Sequence, residues 1–269
     1  CTDSTASNYD STATVDDGSC IFLTYVPDDN FEDYLENNGM GDGVLNNDSV
    51  LTSNIDFITS LHIFGGNISD LTGIQDFTQL RILDCNFGQL TNLDLSGNVY
   101  LRELVIMNND ITNLDISNND DLVEIRVNSN QLSNIDVTHC TDLEILHVSS
   151  NPISNIDVSN NLNLENFSCG SSNITSLDVS NNTLLKFLYS YSTQLSTLDI
   201  TNNPALLSLS LNDNQLSSID LSNNDLLQYL YLGQNSFSAI DVSNLTALYS
   251  FKGFGNQLSS LDVTNNTAL

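Results

Sequence analysis

Few side chains in this protein could do chemistry, and their spacing argues against catalysis. There are three histidines, five cysteines and 34 Asp plus Glu against five Lys plus Arg. His62, His139 and His147 are separated in sequence, and neither a glycine-rich phosphate loop nor an HExxH string is present. The cysteines fall in bridging or core positions. Nine aspartates, Asp94, Asp115, Asp136, Asp157, Asp178, Asp199, Asp220, Asp241 and Asp262, recur at a fixed interval. A carboxylate copied nine times marks structure rather than an active site, so no enzyme is expected. Each is followed two residues later by Ser or Thr, which predicts hydroxyl and backbone N–H donors to every carboxylate. Calcium shared between neighbouring aspartates is the alternative, because strand spacing would set them about 4.8 Å apart and like charges that close repel.

The elements that must position these residues repeat. LTNLDLSGN at Leu90 returns as ITNLDISNN at Ile111 and LSNIDVTHC at Leu132, and its opening apolar residue recurs every 21 residues to Leu258. A second half, L-x-x-L-x-L-x-x-N, begins at Ile58 and runs for ten copies, the first spacing being 22 and the rest 21. Such a period means one supersecondary unit per repeat, stacked so that neighbours share a core. Period-2 alternation in the LxL half predicts a short strand whose apolar residues point into the stack. Asn109, Asn130, Asn151, Asn214, Asn235 and Asn256 end these strands, where a buried amide could bond the turn backbone as a ladder. The LD(L/V/I)S half predicts a second strand with a solvated polar face. Ser190 and Gly253 replace inward apolar residues, and Ser172 and Thr193 replace ladder Asn. Cys140 takes the Asn position of the second half. Cys85 and Cys169, four repeats or about 19 Å apart, are too distant to bridge and are expected to be buried free thiols.

Two segments precede the repeats. Residues 1–20 lie between Cys1 and Cys20 and contain no Leu, Ile, Phe or Met. A piece without a core needs a staple, and a disulfide closing a loop of this size contributes roughly 3 kcal/mol in the chain-entropy account. A Cys1 to Cys20 bridge and an oxidising, extracytoplasmic setting are therefore expected; the competing reading is a lipidated N-terminal Cys1. Asp3, Asn8, Asp10, Asp16 and Asp17 offer hard oxygen ligands suited to calcium, though not at EF-hand spacing. In residues 21–57, VPDDNFEDYLENNG predicts a short helix capped by Asp28 or Asp29 and stopped by Gly39, with Phe31, Tyr34 and Leu35 on one face, covering the open end of the stack. The following loop holds Asp42, Asn46 and Asp48, a second possible calcium site that is also an ordinary turn-rich loop. Residues 58–269 form the solenoid.

A formal charge of −29 and a pI near 4.1 disfavour nucleic acid or an anionic membrane surface, while a cationic partner or calcium is compatible. Apolar residues at 40% are too many for disorder, and no run is long enough to span a bilayer. The start is not a basic-then-apolar signal, so the chain reads as processed or as part of something longer.

The joined unit LxxLxLxxNxLxxLDxSxN resembles leucine-rich repeat proteins, and more narrowly the 21-residue, internalin-like repeats of secreted and surface proteins of Bacteroidetes. YVPDDNFE, ISDLTGIQDF and CTDSTASNYDSTATVDDGSC are similar to segments that precede such repeats there. The resemblance implies a mainly β solenoid of about ten coils with a short helical cap, extracellular or at the outer cell surface, exported by type IX secretion. It also makes Ser4, Ser11 and Ser49, in Asp-Ser-Thr and Asp-Ser-Val strings, candidate O-glycosylation sites.

Individuality is confined to the LxL face. All five basic residues, Arg81, Arg102, Arg126, Lys186 and Lys252, lie in its windows, and aromatics gather in its later copies. Phe187, Tyr189 and Tyr191 with Tyr229 and Tyr231, flanked by Arg126, His147 and Lys252, form the candidate ligand-binding set, because Tyr and Arg give large contacts at low entropic cost. Adhesion or recognition of a protein or polysaccharide is the leading expectation. The alternative is a structural one: Leu269 opens a further repeat, and an uncapped end would let copies stack head to tail into an extracellular filament.

Overall fold

The computed structural model describes residues 1–65 and 67–269. Ten short strands, β3 (Ser60–Phe64), β4 (Ile82–Asn86), β5 (Glu103–Val105), β6 (Glu124–Arg126), β7 (Ile145–His147), β8 (Asn166–Ser168), β9 (Phe187–Tyr189), β10 (Ser208–Ser210), β11 (Tyr229–Tyr231) and β12 (Ser250–Lys252), form one parallel sheet in sequence order. These are the ten LxL copies. Each pairs in register with the next, Leu188 opposite Leu209 opposite Leu230, so inward residues stack in columns. Burying those columns joins the coils into one apolar core running from Val26 to Leu248. Every leucine, isoleucine and valine that alternation points inward on β3 to β11 is buried, and Ser190 sits with them fully covered.

The LDxS half does not form the expected second strand. Among the described residues the sole pairing there is an isolated bridge between Asp94 and Asp115. Its backbone groups are spent locally instead. The N–H two residues on donates to Oδ1 of each aspartate at 2.9–3.0 Å, from Ser96 on Asp94 through to Thr264 on Asp262. Turn bonds such as Asn98 N–H to the Leu95 carbonyl follow at once. A chain folded into successive tight turns has no extended ladder left to offer, so this side is a column of turns.

Two asparagine ladders tie the coils together. In the predicted one, Asn151 Nδ2 donates to the carbonyls of Val127, Val148 and Ser149 while its Oδ1 accepts from Leu132 N–H. The other was visible only as a recurring position with no role attached. Asn98, Asn119, Asn161, Asn182, Asn203, Asn224 and Asn266 are buried on the opposite side, each donating to carbonyls in the coil before, as Asn182 does to Val158 and Asn161. Their Oδ1 atoms have no partner among the described residues. The two waiting carbonyls fix this orientation, since a flipped amide would set oxygen against oxygen.

The turn leaving each strand holds one residue in the left-handed region, from Gly65 and Phe87 through Asn108, Ser129 and their successors to Gly255. Gly, Asn, Ser and Asp tolerate it, and Gln234 adopts it as well at φ 57. Phe87, at φ 59 and 69% exposed, is the bulky exception.

The cap forms as the sequence predicts. Helix α1 (Asp29–Asn37) is capped by Asp28, whose Oδ1 accepts from Asn30 and Phe31 N–H while its Oδ2 accepts from Ser69 and Asp70 of the first coil. Burial pushes the Asp28 carboxyl up, and donors from Ser69, Phe31 and Asp70 more than offset this, holding it below its ordinary value. Phe31 and Leu35 are fully buried with Tyr34 against them. Strands β1 (Leu23–Tyr25) and β2 (Ser49–Leu51) pair antiparallel beside the helix. Glu32 is 0% exposed and accepts from Asn47 and Asp48 N–H. With Glu36, which takes Asp42 and Gly43 N–H, it clamps the 42–48 loop.

The Cys1–Cys20 disulfide is present and closes residues 1–20, a run of turns with Ala6 as its one buried hydrophobic residue. Cys85 and Cys169 are free and buried, as expected of small core residues, and Cys140 is free and buried as well.

Candidate ligand-binding face

The outward residues of the sheet form the variable surface. Phe187 and Tyr189 on β9 lie in register with Ser208 and Ser210 on β10, and these with Tyr229 and Tyr231 on β11. Two aromatic strands therefore flank a serine strand, and the rings shield both serines almost completely. Tyr229 meets Tyr249 edge-on at 5.9 Å, and the Lys252 ammonium sits 4.7 Å above the Tyr231 ring, a cation–π contact.

Glycine makes room for two further rings. A Cβ at Gly170 would lie 2.8 Å from the Tyr191 ring, and one at Gly233 would lie 2.6 Å from that of Phe254. Each ring thus rests on the backbone of the preceding coil. No residue count reveals this, but the offset of 21 between Gly170 and Tyr191, and between Gly233 and Phe254, is readable once the register is known. Tyr249 and Phe254 are the most exposed aromatics here.

Arg126 and His147, on β6 and β7, lie two or more strands from β9 and are held in a network of their own. The Arg126 guanidinium bonds Glu124 and approaches His147 Nδ1 at 2.8 Å, and His147 Nε2 is 3.1 Å from Asn166 Oδ1. Burial lowers the His147 pKa, and the Arg126 charge lowers it further. The ring is therefore neutral at pH 7, with Nδ1 accepting from arginine and Nε2–H donating to Asn166. The structure does not join this pair to the aromatic cluster.

Asp3, Asp10, Asp16 and Asp17 each accept from the backbone N–H two residues on, and Asn8 bonds Ser19 and Ile21. The carboxylates are distributed over separate turns and do not gather into one ligand set; among the described residues the group of three that does converge is Asp29, Glu32 and Asp48. Ser4 and Ser11 are exposed, whereas Ser49 is half-buried within β2.

These coils, strands and ladders define a leucine-rich repeat solenoid. No protein-family model and no curated protein matches the chain. Solved structures do. The functional domain of InlJ from Listeria monocytogenes, which includes a cysteine ladder, aligns with a TM-score of 0.86 at 31% identity, covering 92% of this chain and 55% of that one. A leucine-rich repeat protein of Leptospira interrogans aligns with a TM-score of 0.75 at 21% identity, over 80% of this chain and 60% of its own. A plant peptide hormone receptor in complex with RGF2 does so with a TM-score of 0.67 at 22% identity, over 82% and 43%. This chain thus spans 55% and 60% of the first two. The fold is that of internalin-like leucine-rich repeat proteins. In this chain the turn-side ladder is asparagine at seven of the nine positions from Asn98 to Asn266, with Cys140 and Leu245 at the other two.

Proposed function

We propose that this chain is a non-catalytic recognition module, exported to the cell surface or the medium, that binds a protein or polysaccharide through the outward face of β9 to β12. One observation carries the reading: variable aromatic side chains gather on that face, while the turn side repeats the same Asp and Ser or Thr in every coil. The rings are already supported, Tyr231 by Lys252, Tyr229 by Tyr249, Tyr191 by Gly170 and Phe254 by Gly233, so little ordering entropy remains to be lost on binding. The solved plant receptor with RGF2 on the same fold supports a macromolecular ligand, and the Cys1–Cys20 disulfide supports an oxidising compartment. Among the described residues no helix is long and apolar enough to cross a membrane. The resemblance to exported Bacteroidetes repeats favours type IX secretion as the route.

The test is a glycan array and a pull-down with the parent chain and with Tyr189→Ala and Tyr231→Ala. Loss of the captured ligand in both variants is expected. Equal capture would remove this face from the account.

A further inference from the structure

Three of the five basic residues are already engaged. Arg126 pairs with Glu124, Lys186 pairs with Glu165, and Lys252 covers Tyr231. Arg81 and Arg102 stand apart: among the described residues neither guanidinium has a carboxylate at ion-pair distance or a side-chain hydrogen bond. Their backbones are neighbours at the edge where the chain enters β4 and β5, with Arg102 N–H donating to the Arg81 carbonyl at 2.8 Å. Two like charges on adjacent coils repel, and neither is neutralised by an ion pair although the chain carries a net charge of −29. Both arginines instead line an open hollow of about 240 Å³ with Tyr100, Asp121 and Asp142.

We propose that this hollow binds a dipolar stretch of polypeptide. Its carboxylate is held by Arg81 and Arg102, and a cation farther along the same stretch by Asp121 and Asp142. Each guanidinium carries an N–H fork suited to a carboxylate. The repeat sets the length of the ligand. Arg81, Arg102, Asp121 and Asp142 fall on four successive coils, so the centres of the two pairs are two coil spacings, roughly 10 Å, apart. An extended peptide advances about 3.3 Å per residue, so an acidic and a basic side chain three residues apart match both pairs. The Tyr100 ring offers an apolar surface for an aliphatic stem. A polyanion is disfavoured by the two aspartates and the overall charge, and the charges of a free amino acid are too close together to reach both pairs. The hollow lies off the aromatic cluster, so it stands or falls independently of that face.

The chain holds only three arginines, which makes the test direct. Nε–Hε signals of Arg81, Arg102 and Arg126 are followed by NMR in the full chain while capped Asp-Gly-Gly-Lys is added. The Arg81 and Arg102 signals are expected to shift together and saturably, with Arg126 unmoved as an internal control. Arg81→Gln and Arg102→Gln should each abolish saturation while leaving the Arg126 signal in place, showing the fold intact. Capped Asp-Gly-Gly-Gln and Asp-Lys should bind at least tenfold more weakly. No shift, a shift shared by Arg126, or equal binding of Asp-Gly-Gly-Gln would overturn the proposal.

Discussion

Replacing Asn151 by Ser asks what one rung of the strand-side ladder contributes, because the chain already contains that replacement one coil on. Asn151 bonds three carbonyls, Val127 at 2.9 Å, Val148 at 3.0 Å and Ser149 at 3.4 Å, and accepts from Leu132 N–H at 2.9 Å. Ser172, its counterpart, keeps a single bond to the Cys169 carbonyl at 2.7 Å. The equivalent donor there, Ile153 N–H, lies in a fully buried residue and finds no acceptor among the described residues, and the same holds for Ile174 N–H beneath Thr193. In Asn151→Ser a hydroxyl retains the Val148 bond, Leu132 N–H loses its acceptor, and the Val127 carbonyl keeps the Asn130 Nδ2 donor at 3.1 Å. Leaving one buried donor unpaired costs about 1–3 kcal/mol, so a loss of roughly 1–3 kcal/mol is expected. The reverse change, Ser172→Asn, supplies Ile153 N–H with an acceptor and should stabilise by about 1–2 kcal/mol. Urea unfolding followed by circular dichroism measures both, and hydrogen exchange at Leu132 and Ile153 locates the effect. A loss below about 1 kcal/mol in Asn151→Ser, or destabilisation by Ser172→Asn, would refute the ladder as a source of stability.

Phe87→Gly relieves a left-handed backbone at an exposed site, so a gain of about 1 kcal/mol is expected in the same urea experiment; a loss would show that the ring is needed. Burial pushes the thiols of Cys85, Cys140 and Cys169 up to about 12, so a thiol reagent at pH 8 should label none of them in the folded chain and all three in denaturant. Side-chain and backbone donors from Ser159 hold the Asp157 carboxyl below 3.8, and those from Thr201 do the same for Asp199. Because the folded value is the depressed one, this contribution is complete above pH 3.8 and is lost as pH falls through the folded value, so carboxyl titration by NMR should give midpoints under 3.8. Since Asp3, Asp10, Asp16 and Asp17 serve separate turns, Tm should be the same with calcium and with chelator; a rise with calcium would restore a metal to the 1–20 segment.

Strand and helix positions were legible in the sequence because they depend on side-chain periodicity. Alternation of Leu209 and Leu211 with Ser208 and Ser210 can be satisfied only by a strand with one face inward, and the capped run from Asp28 to Gly39 only by a helix. The LDxS half was misread as a strand because Leu93, Leu95 and their copies also alternate. A carboxylate that captures the N–H two residues on folds the chain into a turn, and this local competition is invisible to a count of apolar positions. Glu32 was missed for a related reason. Its burial depends on a loop sixteen residues away, and nothing near it in sequence announces that the Asp48 N–H needs an acceptor. At the candidate site the sequence located the aromatic residues but not their supports, since Gly170 under Tyr191 and Lys252 over Tyr231 become neighbours only through the register of the stack.

The contrast between the two halves of the repeat follows from what each must satisfy. On the turn side, the aspartate must accept from the residue two positions on, and the buried asparagine must reach carbonyls 21 and 24 residues back, as Asn203 does to Asn182 and Val179. A substitution there strands a buried group, so the aspartate recurs in all nine coils and the asparagine in seven, with Cys140 and Leu245 as the departures. Outward strand residues satisfy no such bond, because the backbone on either side already pairs them and the inward Leu or Ile anchors the coil. They are free to differ from coil to coil at little cost to the stack. Surface chemistry can therefore accumulate on this face, as tyrosine on β9 and β11 and as arginine at the entrance to β4 and β5, while the scaffold beneath it stays the same.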